Sequence, residues 1–186
     1  MKFDLQPNLI GRRIRLRPLV ADDFDALFRA ASDPLIWVQH PESDRYKPEI
    51  FRVYFDGAIE SKGAFAIIES KSGRIIGSSR YCHLTVEGDE VEIGWTFLER
   101  AFWGGSYNRE LKCLMIDHAL RFVDRVVFVA GEGNTRSRRA LEKIGATFVR
   151  KVDRPSRDGA MASNVIDVVD RRWWLPLGDV GTRPTC

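Results

Sequence analysis

The sequence predicts a mixed α/β domain with a central, twisted, mostly antiparallel sheet of about seven strands, flanked by about four helices. Short segments such as Val91 to Phe97 alternate apolar and polar residues, and this period of two is typical of strands. Longer segments such as Leu111 to Phe122 repeat apolar residues at helical spacing. Three successive strands come before strands and helices alternate, which predicts antiparallel pairing followed by one parallel crossover.

Turn signals and apolar spacing place the elements of the first half. Ile14 and Leu16 alternate with arginines within Ile10–Pro18, which predicts a half-exposed strand that ends at Pro18. Asp22 and Asp23 begin a helix with acidic residues in its favoured first turn. The next predicted elements are an irregular, aromatic segment over 35–47, a helix over 48–61, and strands over 64–69 and 74–82.

The second half predicts a strand over 90–97, a helix over 108–123, a strand over 125–129, a helix over 135–144, and strands over 147–153 and 164–174. The last of these strands ends in Trp173 and Trp174, which could sit at a homodimer contact. At 186 residues the chain predicts a single domain over 1–175. The tail over 176–186 contains Pro and Gly and is expected to be poorly ordered.

Composition argues against several classes of protein. The net charge of +3 is mild, so it does not indicate a nucleic-acid partner. No apolar stretch reaches the ~18 residues of a membrane span, and the first residues lack the apolar core of a signal peptide, so we expect no membrane contact and a cytoplasmic protein. Cys82, Cys113 and Cys186 are odd in number and widely spaced, so they predict neither a disulfide framework nor a metal site. The three histidines show no ligand spacing either.

A glycine-containing turn between a strand and a helix predicts an anion site. The stretch from Trp103 to Asn108 follows the strand at 90–97 and runs directly into a helix. Unpaired N–H groups and the positive end of the helix dipole point outward at such a start, and glycines let the main chain approach a phosphate closely. A second strand leads into a second helix at the same edge, so the two turns frame a cleft for a phosphate-bearing cofactor.

These residues resemble the acetyl-coenzyme A core of the GNAT N-acetyltransferases, and most closely the RimJ/RimL-like branch. The matching residues are Glu92-Ile93-Gly94-Trp95, Trp103-Gly104-Gly105-Ser106-Tyr107, Asn134, Ser137, Leu141 and Gly145. The sequence departs from the usual Arg/Gln-x-x-Gly-x-Gly/Ala loop, because Ser106 and Asn108 occupy the two small positions when Tyr107 is aligned. The resemblance implies a GNAT-like fold and direct transfer of an acetyl group from acetyl-coenzyme A to a primary amine, either a protein N-terminus or a small amine.

The resemblance also implies roles for individual residues. Glu92 is the candidate base, with Glu90 as its nearest rival, and Ser137 is the candidate proton donor, with Tyr107 as second choice. Strand alternation places Glu92, Gly94 and Thr96 on one face. The residues expected to line the acceptor pocket are Trp37, His40 and Tyr46. The residues expected to bind the cofactor are Trp95, Thr96, Phe97, Trp103, Gly104, Gly105, Ser106, Tyr107, Asn108, Arg109, Asn134 and Arg138.

Two functions of other classes compete with acetyl transfer. A non-catalytic acyl-coenzyme A binding or regulatory module would keep the loop and Asn134 without a functional Glu92. A small nucleic-acid binder could use the arginines of the strand over 12–17. The mild net charge and the lack of interleaved aromatic and basic residues argue against this second alternative.

Overall fold

Eight strands of one sheet form the centre of the part of the chain that the structure describes. A computed structural model describes residues 3–85, 89–155 and 159–174. Its strands are β1 (Leu9–Ile10), β2 (Ile14–Pro18), β3 (Ala64–Glu69), β4 (Ile75–Thr85), β5 (Glu90–Leu98), β6 (Arg125–Gly131), β7 (Thr147–Pro155) and β8 (Met161–Asp170). They lie in the order β1-β2-β3-β4-β5-β6-β8-β7. Among these strands β5 and β6 alone are parallel neighbours, so the predicted mostly antiparallel α/β fold is confirmed.

Helices cover both faces of the sheet. They are α1 (Phe24–Ala31), α2 (Pro48–Glu60), α3 (Tyr107–Ala119), α4 (Thr135–Glu142) and the four-residue α5 (Arg171–Trp174). One buried cluster, the α3-side core, joins Leu111 and Met115 of α3 to strand residues such as Val91 and Val126. A second, the α1/α2-side core, joins the apolar faces of α1 and α2 to the opposite face of the sheet. No helix in the described ranges is both long and apolar enough to cross a membrane.

The chain ends and turns differ from the prediction in two places. The single strand predicted from Ile10 is two strands, because a tight turn lets the Gly11 N–H donate to the Ile14 carbonyl at 2.9 Å. The final strand stops at Asp170, whose carboxylate accepts from the Arg172 N–H at 2.9 Å and starts a short helix. Trp174 is therefore buried in its own domain, whereas Trp173 is 85% exposed. The homodimer stays a prediction, and the predicted tail over 176–186 lies outside the described residues.

The two parallel strands separate along their length. Register pairs join Glu90 to Arg125, Val91 to Val126 and Glu92 to Val127, and none follows beyond that point. Beyond that point each strand is still paired along its other edge, β5 with β4 and β6 with β8. A wedge with one main-chain edge on each wall therefore opens in the middle of the sheet.

A bulge in β5 reverses which residues face each side of the sheet. Arg80 pairs with Gly94 and Ser78 with Phe97, so two residues of β5 oppose one residue of β4, and Trp95 has φ of 50°. The Tyr54 hydroxyl donates to the Trp95 carbonyl at 3.0 Å and holds this conformation. Val91 and Ile93 belong to the α3-side core, whereas Phe97 belongs to the α1/α2-side core.

The prediction that Glu92, Gly94 and Thr96 lie on one face of the strand is therefore wrong for Thr96. Its hydroxyl meets the ammonium of Lys112 on α3, at 2.8 Å between Oγ1 and Nζ. Gly94 does lie beside Glu92, because a Cβ built on Gly94 would be 3.1 Å from Glu92 Oε1. The Glu92 carboxylate therefore lies beside Gly94, which has no side chain. After the bulge, the Thr96 side chain contacts α3 instead of sharing the face of Glu92.

Candidate active site

The wedge between β5 and β6 contains a cavity of about 400 Å³. Its walls come from the separated parts of the two strands, the starts of α3 and α4, and the irregular segment after α1. Predicted site residues that line it are Trp37, His40, Glu92, Trp95, Thr96, Phe97, Trp103, Gly104, Asn108, Asn134 and Ser137. Predicted residues outside its lining are Tyr46, Gly105, Ser106, Tyr107, Arg109 and Arg138.

The loop before α3 forms one end of the cavity. Gly104 has φ of +71°, a left-handed conformation that glycine adopts without the strain of a Cβ. It leads to Ser106, which precedes the helix, and the first N–H groups of α3 have no partner within the helix. Tyr107 packs against Phe102 at 4.9 Å between ring centroids, and its hydroxyl donates to Glu69. Tyr107 therefore anchors the loop and does not reach the cavity.

The start of α4 forms the neighbouring wall. The Asn134 side-chain oxygen accepts from the Ser137 N–H at 3.1 Å, so Asn134 is the N-cap of α4. Both residues line the cavity, with the Ser137 side chain on the first turn. Arg138 points to the Glu132 carbonyl, at 3.4 Å from its Nη1.

Arg136 was not among the predicted site residues. Its guanidinium carbon lies 4.0 Å from the centroid of the Trp103 ring, and its Nη2 donates to the Ile36 carbonyl at 3.0 Å. The side chain thus joins α4, the loop before α3 and the segment after α1. These contacts are long-range in sequence, and no local pattern indicates them.

Glu92 places a buried carboxylate on the β5 wall. Its side chain is 6% exposed. Its Oε2 is 2.9 Å from His83 Nδ1 and accepts from Arg154 Nη1 at 3.2 Å. Its Oε1 lies on the Gly94 side. Glu90 pairs with Arg125 at 3.3 Å and does not line the cavity, so geometry favours Glu92 over this rival.

The segment after α1 contributes a further part of the cavity wall. Trp37 is buried, and its indole N–H donates to the Ala31 carbonyl at 2.8 Å. Burial, and secondarily the charge of Arg45, lowers the pKa of His40 to about 3, so its imidazole is neutral at physiological pH. Tyr46 packs against the α1/α2-side core instead of the cavity. The predicted pocket residues therefore divide into two that line the cavity and one that supports the wall.

Lys112 is a second cavity residue that the prediction did not include. It is 6% exposed, its Nζ donates to Thr96 Oγ1, and the same atom lies 5.2 Å from the centroid of the Phe128 ring. Burial lowers the pKa of Lys112 to about 7. Asn108 and Lys112 both line the cavity and are four residues apart on α3. That spacing was available in the sequence, but a lysine side chain is usually solvent-exposed, so burial of Lys112 was not expected.

These features fit the parts of acetyl-coenzyme A. The helix start at the Gly104 end suits a pyrophosphate. The separated edges of β5 and β6 offer main-chain groups to an amide-bearing arm, as a sheet edge does to an added strand. Apolar side chains such as Ile93, Val129 and Leu141 form the walls between these groups.

Comparisons with known proteins agree with this geometry. A family model described as Acetyltransferase (GNAT) domain matches residues 13–147. A GCN5-related N-acetyltransferase from Brucella melitensis is 23% identical, with 91% of this chain and 80% of that chain covered and a TM-score of 0.78. A T. thermophilus protein classed as an acetyltransferase is 30% identical, with 90% of each chain covered and a TM-score of 0.76. Mycobacterium smegmatis RimJ in complex with CoA-disulfide is 17% identical, with 91% of this chain and 90% of that chain covered and a TM-score of 0.70.

Proposed function

The chain belongs to the GNAT acetyltransferase family and is an acetyl-coenzyme A-dependent N-acetyltransferase, and we propose that its acceptor is a primary amine that attacks directly. The observation that carries this proposal is the position of Glu92, a buried carboxylate on the wall of the β5–β6 cavity. The non-catalytic module is not retained, because the matched family is one of acetyltransferases.

Acetyl-coenzyme A supplies the acetyl thioester when it is bound. The first turn of α3, the loop at Gly104 and the cap residue Asn134 are the groups that would hold its anionic and amide-bearing parts. The bulged strand from Trp95 to Phe97 presents main-chain groups at the cavity, and N–H groups of this kind stabilise charge on a carbonyl oxygen.

Two side chains of the cavity are assigned to proton transfer. Glu92 accepts a proton from the acceptor ammonium, directly or through a water, because a protonated amine has no lone pair with which to attack. Ser137 holds a proton on its hydroxyl and donates it on the opposite wall, where the sulfur leaves. The ion pair with Arg154 and the contact with His83 fix the Glu92 side chain through Oε2, which leaves Oε1 toward Gly94.

Two kinds of primary amine are proposed as the acceptor, a protein N-terminus and a small amine. We favour the first, because we place this chain in the RimJ/RimL-like branch and its fold is shared by the ribosomal-protein-S5-alanine acetyltransferase from Vibrio fischeri, at 16% identity and a TM-score of 0.68. A direct test is release of free coenzyme A by the purified protein with acetyl-coenzyme A and a panel of N-terminal peptides, polyamines and amino sugars. Mass spectrometry of each product should find one acetyl group on a primary amine. If no amine in a broad panel is acetylated, the acceptor class is wrong.

Gly105→Glu should weaken binding of coenzyme A sharply. A carboxylate at the start of α3 would repel the pyrophosphate and occupy its space. A side chain fits here in the free protein, because a Cβ on Gly105 would come no closer than 4.0 Å to the Tyr107 ring. Gly105→Ala is the matched control and should lose much less affinity, because it adds only a methyl group and no charge. Calorimetry with coenzyme A decides: equal affinities for the two folded variants would remove the loop from the cofactor site.

Ser137→Ala should lower kcat and leave the affinity for acetyl-coenzyme A nearly unchanged. Loss of a general acid costs about 10²-fold or more in rate. The helix cap survives this change, because Asn134 accepts from the Ser137 main chain and not from its hydroxyl. Single-turnover rates and a melting temperature should be measured together. A normal rate with a lower melting temperature would give Ser137 a structural role only.

A further inference from the structure

Three potential metal ligands of different chemistry meet beside the cavity. One donor atom each from Cys82, His83 and Glu92 lies within 4.8 Å of the other two. Cys82 is on β4 directly opposite Glu92 on β5, so their side chains share one face of the sheet. His83 should point to the other face by strand alternation.

A local irregularity brings His83 to the same side. The β4–β5 register shifts between Cys82 and Thr85, and His83 has φ of 49°, which is unusual for a residue with a Cβ. This conformation places His83 Nδ1 at 2.9 Å from Glu92 Oε2. The spacing of these three residues in sequence resembles no common metal motif, and the sheet pairing together with this irregularity brings them into contact.

We propose that Cys82, His83 and Glu92 form a binding site for Zn²⁺. Thiolate, imidazole and carboxylate are the ligands that zinc takes, at about 2.0–2.3 Å, and three protein ligands leave the fourth tetrahedral position to water. Tetrahedral bonds of that length put ligand atoms roughly 3.3–3.7 Å apart, so the present arrangement needs shifts of about an ångström. Sulfur and nitrogen donors select against Mg²⁺, which prefers oxygen ligands.

Two features limit the strength of this site. Zinc binds a thiolate, so the ion must displace the Cys82 proton, which the thiol donates to the Glu92 main-chain carbonyl at 3.6 Å between sulfur and oxygen. Arg154 also contacts Glu92 and would have to leave as zinc enters, which its partly exposed side chain permits. We therefore expect weaker affinity than that of closed, four-ligand structural sites.

Zinc at this position inhibits acetyl transfer, because it occupies the carboxylate that is assigned as the base. This consequence rests on the proposed function, whereas binding itself does not. Cys82 takes no part in the proposed transfer, so Cys82→Ser should keep the basal rate and lose sensitivity to zinc.

The test is calorimetric titration of the chelator-treated, full-length protein with Zn²⁺ alone and with Mg²⁺ alone. One zinc should bind per chain, and Mg²⁺ should not compete. Cys82→Ser and His83→Gln should each weaken binding by at least the roughly 10- to 100-fold that loss of an outer-shell partner costs. His83 is a suitable second variant because its side chain is 60% exposed and its replacement spares the core.

The outcomes test the proposed zinc site and the proposed role of Glu92 in acetyl transfer separately. Equal zinc affinity in the wild type and a Cys82→Ser/His83→Gln double variant would overturn the site. Binding that depends on both ligands but leaves the rate unchanged would keep the site and remove Glu92 from catalysis. Absence of zinc binding together with a slow Glu92→Gln enzyme would overturn the site and keep the proposed function.

Discussion

Glu92→Gln should lower kcat/KM by about 10²-fold or more at neutral pH, since loss of a general base costs that much in other enzymes. Glutamine keeps the shape of the side chain and can still accept from Arg154 through its carbonyl, but it cannot take the ammonium proton. The deficit should shrink as the pH rises toward the pKa of the acceptor amine, because more acceptor is then already neutral. Steady-state rates over this pH range on the identified acceptor measure both effects.

Glu90→Gln is the matched control for this experiment. Glu90 is two residues away on the same strand and pairs with Arg125, but it does not line the cavity. It should retain the wild-type rate. If Glu92→Gln also retained that rate, proximity and main-chain polarisation would have to account for catalysis.

The order of elements was predictable because it depends on local patterns. Apolar spacing and turn residues identified the core of every described helix except α5, and the predicted helix starts at 48 and 135 agree with those of α2 and α4. Segment ends were less predictable. The split of the first strand depends on one turn, and α5 depends on contacts of Trp174 and Arg171 with distant parts of the chain.

Features of the site were predictable where they depend only on residues that are close together in the sequence. The cap at Asn134 and the glycine turn at Gly104 are features of this kind. The bulge at Trp95 was not predictable, because a period-2 pattern carries no sign of an extra residue opposite β4. The Cys82–His83–Glu92 cluster and the Arg136 contact with Trp103 also arise from tertiary pairing, which one sequence does not reveal.

Lys112→Met should stabilise the protein near neutral pH by an amount that falls as the pH rises. Lys112 lies in the cavity wall with Thr96 as hydrogen-bond partner, and methionine fills similar space without a charge. Folding lowers the pKa of Lys112 from 10.5 to about 7 because burial disfavours the ammonium. Between these two values the unfolded chain holds the proton more strongly, so the free energy of unfolding of the wild type rises with pH relative to that of the variant.

The pH dependence of the stability difference between wild type and variant distinguishes a buried Lys112 ammonium from a solvated one. Below about pH 7 the wild type carries the full cost of burying the charge, and above about pH 10.5 both states are neutral and the cost disappears. The stability difference between wild type and variant should therefore change by an amount on the order of a few kcal/mol between these limits. Denaturant unfolding of both proteins at several pH values measures it, with Lys143→Met, at an exposed position after α4, as the control that should show no such trend. A difference that stays constant with pH would mean that the Lys112 ammonium reaches water, and the cavity wall at Thr96 would then have to be more open than the contacts of Lys112 with Thr96 and Phe128 indicate.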